Sequence, residues 1–237
     1  MATRDIEYRV EGRRYVGSFV APDGVEKARP GVLVAPEGMG LVDLTRTMGA
    51  RLAEAGYAAL AMDYYGGGKP LQDRNEVMAR LGPWMRDPTG IRAIAATALG
   101  ALAAQSEVDS ARLAAIGFCW GGTTALELAR AGAQLKAAVG FHCGLETAAP
   151  AKAGDIKARV LALIGAQDPL VGPGQRLAFE QEMDAAGADW RLVLFGGAGH
   201  SYTNPIADTL GMPGFAYDER TDQRAWRAML DLFAEAL

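Results

Sequence analysis

Residues 115–123, AIGFCWGGT, set Cys119 between a glycine two positions before it and another two positions after it, with an apolar run upstream and a helical pattern downstream. Gly-x-Cys-x-Gly at a strand-to-helix junction has the form of a nucleophile elbow, whose small flanks tolerate the sharp turn that lifts a side chain above the sheet. At the start of a helix, unpaired N–H groups and a partial positive charge favour a thiolate and any oxyanion formed on a bound carbonyl. The Trp120 N–H is one such donor. Outside that context a free cysteine is usually a small buried hydrophobe, and Cys143, which lacks it, is assigned to packing.

A cysteine nucleophile needs a base, and the chain has two histidines, His142 and His200. His200 lies in the glycine-rich GGAGHSY after the last strand-like run, and Asp168 lies in GAQDPLV. The order nucleophile, acid, histidine is that of α/β-hydrolases. Asp168 also suits a turn ahead of Pro169, but a carboxylate is what an imidazole requires to fix its tautomer. His142, in GFHCG, is assigned to a hydrogen-bonded structural role. Glu37 follows the buried run GVLVAPEG and either lines the site or lies in an exposed loop. Two histidines and two cysteines without close spacing argue against a metal centre, and no cofactor is expected.

These residues need elements to bring them together. Strand-like runs alternate with helical ones, which predicts an α/β fold: a mostly parallel central sheet with helices on both faces. Residues 5–20 alternate in polarity around Glu11-Gly12 and predict an antiparallel hairpin leading into the sheet. Buried strands are expected within 31–38, 57–68, 111–119, 135–143, 158–168 and 190–200. Helices are expected over 42–55, from Gly121 to the stop at Gly132, and at the C-terminal end. Residues 70–107 read as helical, with bends at Gly82-Pro83 and Asp87-Pro88, because proline disfavours helical geometry in the residue before it. In such a sheet ligands bind beyond the carboxyl ends of the strands, where Glu37, Cys119, Asp168 and His200 fall. No repeat or linker divides the chain, so one domain over 1–237 is expected.

Half of the 237 residues are hydrophobic and the formal charge is −4. At this length roughly 70–75 % of the unfolded chain's surface can be buried. The charge balance supplies no basic field for nucleic acid or an anionic membrane, and no run approaches the ~20 apolar residues of a spanning helix. The N-terminus has no apolar signal core. The expectation is a cytoplasmic protein with a small-molecule partner, as a monomer or small homo-oligomer.

The pieces VLVAPEGMG, AALAMDYYGGG, AAIGFCWGGTTALELA, ALIGAQDPLV, GAGHSYTNP and AYDERTDQRAWRAMLDLF together resemble the dienelactone hydrolase (carboxymethylenebutenolidase) family of α/β-hydrolases, across nearly the whole chain. The resemblance implies a fold without a cap domain, with Cys119 as nucleophile, His200 as base, Asp168 as orienting acid and Glu37 as an added glutamate that restrains the resting thiol. It implies that Gly38 completes the oxyanion hole with Trp120. The expected reaction is lactone opening or ester cleavage through a thioester. Well-known family members bind a substrate carboxylate with arginines, one of them four residues beyond the catalytic histidine, where this chain has Asn204. Arg80, Trp84, Tyr65, Ser201, Tyr202 and Asn204 are the candidate substrate contacts, Tyr64 is a further aromatic near them, and broad esterase or thioesterase activity stays open. From different classes, a redox protein would need Cys143 as the resolving thiol, and a non-catalytic binding module on the same fold is the other alternative.

Overall fold

The computed structural model describes residues 1–24 and 27–237. The chain opens with a hairpin of β1 (Ala2–Val10) and β2 (Arg13–Ala21), in antiparallel register. Its turn has φ of +48° at Glu11 and +80° at Gly12, the paired positive values that match a two-residue turn to the twist of its strands. β2 joins β4 (Ala58–Ala61), again antiparallel. β3 (Arg29–Ala35), β5 (Val108–Phe118), β6 (Ala137–Phe141), β7 (Arg159–Gly165) and β8 (Trp190–Phe195) complete a sheet in which they and β4 run parallel. The strand order is β1-β2-β4-β3-β5-β6-β7-β8.

The central strands are apolar without interruption because both faces are covered. Side chains alternate between two cores. Val32, Val34, Ile116, Val139 and Leu163 face α1 (Asp43–Glu54) and α6 (Glu219–Ala236), packing with Met48, Leu52, Met229 and Phe233. Leu33, Ala115, Ala138 and Ile164 face the opposite layer of α2 (Arg74–Arg86), α3 (Thr89–Ala103), α4 (Trp120–Arg130) and α5 (Pro173–Ala186), packing with Leu81, Ile91, Leu126 and Phe179. The predicted α/β architecture is therefore present, with no separate cap. Among the described residues no helix is long and apolar enough to cross a membrane.

Two local expectations change. The helical region is interrupted at Asp87-Pro88, where the Asp87 side chain accepts from the Thr89 N–H at 3.0 Å, but α2 continues without a break through Gly82-Pro83. Glycine has no Cβ to collide with the proline ring, so the residue before Pro83 can stay helical. The expected strands overlook α5, whose ends are nonetheless marked in the sequence: Pro173 opens it and Gly187, in the left-handed region at φ +67°, closes it.

A buried ion network fastens the helical layer to the long β6–β7 connection. The Arg130 guanidinium, almost wholly buried, donates to both Glu182 oxygens at 2.9 and 2.8 Å, to Glu127 at 3.0 Å and to the Leu145 carbonyl at 2.7 Å. Arg92 bonds the other Glu127 oxygen at 2.8 Å and the Ala149 carbonyl at 2.7 Å. Removing one member strands a buried charge. Arg130→Met is expected to lower unfolding stability by about 3–5 kcal/mol, seen as a reduced denaturant midpoint with an unchanged slope.

Candidate active site

Cys119 ends β5 and caps α4 with φ +53° and ψ −119°, a conformation that costs a non-glycine residue and is retained only where the surroundings over-determine it. Its N–H donates to the Phe141 carbonyl at 3.0 Å and to His142 Nδ1 at 3.2 Å. Its carbonyl accepts the Gly122 N–H at 3.0 Å and the Thr123 N–H at 3.3 Å, starting the helix. The flanking glycines are needed for close approach. A Cβ on Gly117 would lie 2.0 Å from the Gly121 carbonyl, and one on Gly121 would lie 2.0 Å from the Ala35 oxygen. The elbow is thereby packed, backbone against backbone, on the strand that leads to Glu37.

Asp168 and His200 meet across two neighbouring strand ends. Asp168 sits in the turn after β7, its N–H on the Gly165 carbonyl at 3.1 Å, and one carboxylate oxygen accepts the Leu170 N–H at 2.8 Å. The other lies 2.7 Å from His200 Nδ1. His200 is fixed by its N–H to the Gly214 carbonyl at 2.8 Å and by the Phe215 ring, 4.6 Å between centroids. Burial opposes a charged imidazole, but the Asp168 carboxylate and the Cys119 sulfur outweigh it and push His200 up to about 10. His200 Nε2 is buried and makes no hydrogen bond of ordinary geometry among the described residues, although the sulfur is close enough to contribute to that rise.

Glu37 follows β3 with a buried carboxyl. One oxygen accepts from Asn204 Nδ2 at 3.1 Å and the other has no partner among the described residues. Burial holds this carboxyl above the ordinary range, opposed in smaller measure by the charge on His200 and by the Asn204 amide. The turn is braced from the β4 end: Tyr64 donates to the Pro36 carbonyl at 3.0 Å and Tyr65 to the Gly38 carbonyl at 2.6 Å. Tyr65 and Trp84 are stacked, 6.2 Å between centroids. Asp63 anchors Tyr65 and the loop after it, its carboxylate accepting N–H groups from Val16, Tyr65, Gly66 and Gly68 at 2.7–3.0 Å.

The remaining candidate contacts are divided. Ser201, Tyr202 and Asn204 belong to the His200 loop and are buried. Tyr202 donates to the Leu163 carbonyl at 2.9 Å, and Ser201 has φ +57°. Asn204 spends its amide on Glu37. Arg80 lies on α2, half exposed and 3.7 Å from Glu76. His142, expected to be structural, has φ +38°, touches the Cys119 N–H and sets its ring 5.1 Å from that of His200. Thr203, which lies within GAGHSYTNP but has no role implied there, lies 2.8 Å from His142 Nε2. Cys143 is fully buried, and both cysteines are free. Among the described residues no three His, Cys, Asp or Glu side chains form a metal-ligating group.

The arrangement suits acyl transfer: a thiol at a helix start, an imidazole with a buried open nitrogen, and an acid fixing that imidazole. Comparison with known proteins agrees with the class. The family model described as "Dienelactone hydrolase family" matches residues 16–237. A protein named "Putative carboxymethylenebutenolidase" from Yersinia pestis is 30% identical over 236 residues, covering 95% of this chain and 85% of its own. A solved structure named "m3DLH" shares 44% identity with a TM-score of 0.95, over 100% of this chain and 98% of its own. A dienelactone hydrolase-like promiscuous phosphotriesterase from metagenomic libraries shares 42% with a TM-score of 0.93, over 99% and 98%. With its sheet, its elbow and these matches, the chain belongs to the dienelactone hydrolase family.

Proposed function

We propose that this hydrolase acts on small lactones or esters through a covalent thioester on Cys119. The observation that carries the reading is the buried His200, held by Asp168 at 2.7 Å with Nε2 free, alongside a thiol on a strained elbow. Asp168 and the sulfur both favour the imidazolium form of His200, so His200 takes up the thiol proton as the sulfur attacks the carbonyl carbon. The N–H groups of Trp120 and Gly38 hold the resulting oxyanion. Collapse breaks the carbonyl–oxygen bond and His200 gives its proton to the leaving oxygen. Neutral His200 then takes a proton from water as it attacks the thioester, and the expelled sulfur recovers that proton from His200, which restores the resting site.

Glu37 serves as the neighbour that disfavours a free thiolate as it ionises. Its tie to Asn204 and its raised titration make that restraint weaker at low pH than an ordinary carboxylate would impose. A second reading, turnover of neutral phosphotriesters, is favoured by how the two candidate contacts for a substrate carboxylate are engaged: Asn204 is bonded to Glu37 and Arg80 faces Glu76. The relative at 42% identity, named a phosphotriesterase, is in keeping with it.

Cys119→Ala is expected to reduce turnover of aryl esters, lactones and aryl phosphotriesters by about four orders of magnitude, with an unchanged circular dichroism spectrum. Wild-type turnover in that variant would remove the nucleophile assignment. For pH, kcat/KM is expected to fall as pH rises through about 10, where His200 loses the proton destined for the leaving group. Because the folded value lies above the ordinary 6.5, its stabilising contribution is complete below that pH and disappears through about 10. Imidazole resonances should show this titration in the wild type and a downward shift in Asp168→Asn; identical titration in both would show that Asp168 is not its cause.

A further inference from the structure

The mechanism above makes no use of His142, yet this residue joins the two halves of the site. It follows β6 in the left-handed region at φ +38°, which disfavours a side chain of this size, and it is fully buried. Its own N–H donates to the Leu163 carbonyl at 2.9 Å, the same carbonyl that accepts the Tyr202 hydroxyl at 2.9 Å. The ring then spans two loops. Nδ1 lies 3.2 Å from the Cys119 N–H and Nε2 lies 2.8 Å from Thr203 Oγ1, three residues beyond His200. A backbone N–H can only donate, so Nδ1 is the acceptor and Nε2 carries the proton that Thr203 accepts.

We propose that His142 is a positioning residue which, by accepting the Cys119 N–H and donating to Thr203, fixes the orientation of the nucleophile relative to the loop carrying His200. The proposal rests on Cys119 as the reacting thiol. The Cys119 N–H is shared between the Phe141 carbonyl and this nitrogen, so the strained peptide is held on two sides. The ring also forms a wall edge-on to His200, at 5.1 Å, and to Tyr202, at 5.0 Å. The role requires an uncharged ring, since a proton on Nδ1 would oppose the Cys119 N–H. Burial first, and the charge of His200 second, hold His142 well below the usual histidine range.

The test compares His142→Gly with His142→Asn. Both residues tolerate positive φ, but only asparagine returns an acceptor near the place of Nδ1. Alkylation of Cys119 by iodoacetamide, followed on its peptide by mass spectrometry across pH, reads the thiol without turnover. The glycine variant is expected to lose about 30-fold or more in kcat, with KM little changed and a displaced alkylation profile, while asparagine recovers to within about fivefold of wild type. Thr203→Val, which leaves the ring volume intact, is expected to slow alkylation by about threefold or more and decides the matter if the glycine variant does not fold. A glycine variant with wild-type alkylation and kcat, an asparagine variant as impaired as glycine, or no effect of Thr203→Val would each overturn the proposal. Turnover retained in Cys119→Ala together with slowed alkylation in His142→Gly would instead retire the nucleophile assignment and overturn the catalytic part of the proposal, reducing His142 to a residue that orients a non-catalytic thiol.

Discussion

A cysteine held at φ +53° is the constraint around which this end of the sheet is built. The conformation is unfavourable for an isolated residue, so it persists only because neighbouring backbone leaves no other course. Gly117 and Gly121 bring strand and helix too close for any side chain, and Gly121 in turn rests on the Ala35 carbonyl. The turn bearing Glu37 and Gly38 begins at the next residues. Strain at the elbow and placement of the Trp120 and Gly38 backbones therefore share one cause, the contact of three backbones without side chains between them.

The electrostatics of the site follow from burial on one side and paired charge on the other. The carboxyl of Glu37 and the imidazole of His200 each leave one polar atom without a partner among the described residues. Open hydrogen-bonding groups in a buried place are costly, and in the proposed reaction the open His200 nitrogen is the one that serves the leaving oxygen. The structural charges are treated differently: Arg130, Arg92, Glu127 and Glu182 satisfy one another and nearby carbonyls. The same chain thus closes the charged groups of this network and leaves one polar atom open on each of Glu37 and His200.

The legible part of the molecule was the part written locally. The elbow declares itself by glycine spacing, and the alternating strands and helices determine the parallel sheet by periodicity alone. Asp168 and His200 could be named because each follows a strand, and strand ends in a parallel sheet converge. Other relations are carried by distance in sequence and by backbone angles that residue type does not reveal. Asn204 and Glu37 are 167 positions apart, and the contact of His142 with Cys119 depends on a positive φ that no motif marks. Gly82-Pro83 misleads for a local reason, since the glycine lacks the Cβ that would collide with the following proline ring and push its own backbone out of the helical region.

Residues 200–204 carry the imidazole, the Thr203 contact to His142 and the Asn204 contact to Glu37 in one pentapeptide. Exchanging one of these positions with a relative's residue alters a bond whose other end lies in a different loop. For engineering, the unit of inheritance is the pentapeptide together with positions 37 and 142. Recombination between relatives that splits this set yields a folded sheet carrying mismatched halves of a site, and libraries drawn up one position at a time will under-sample the combinations that work.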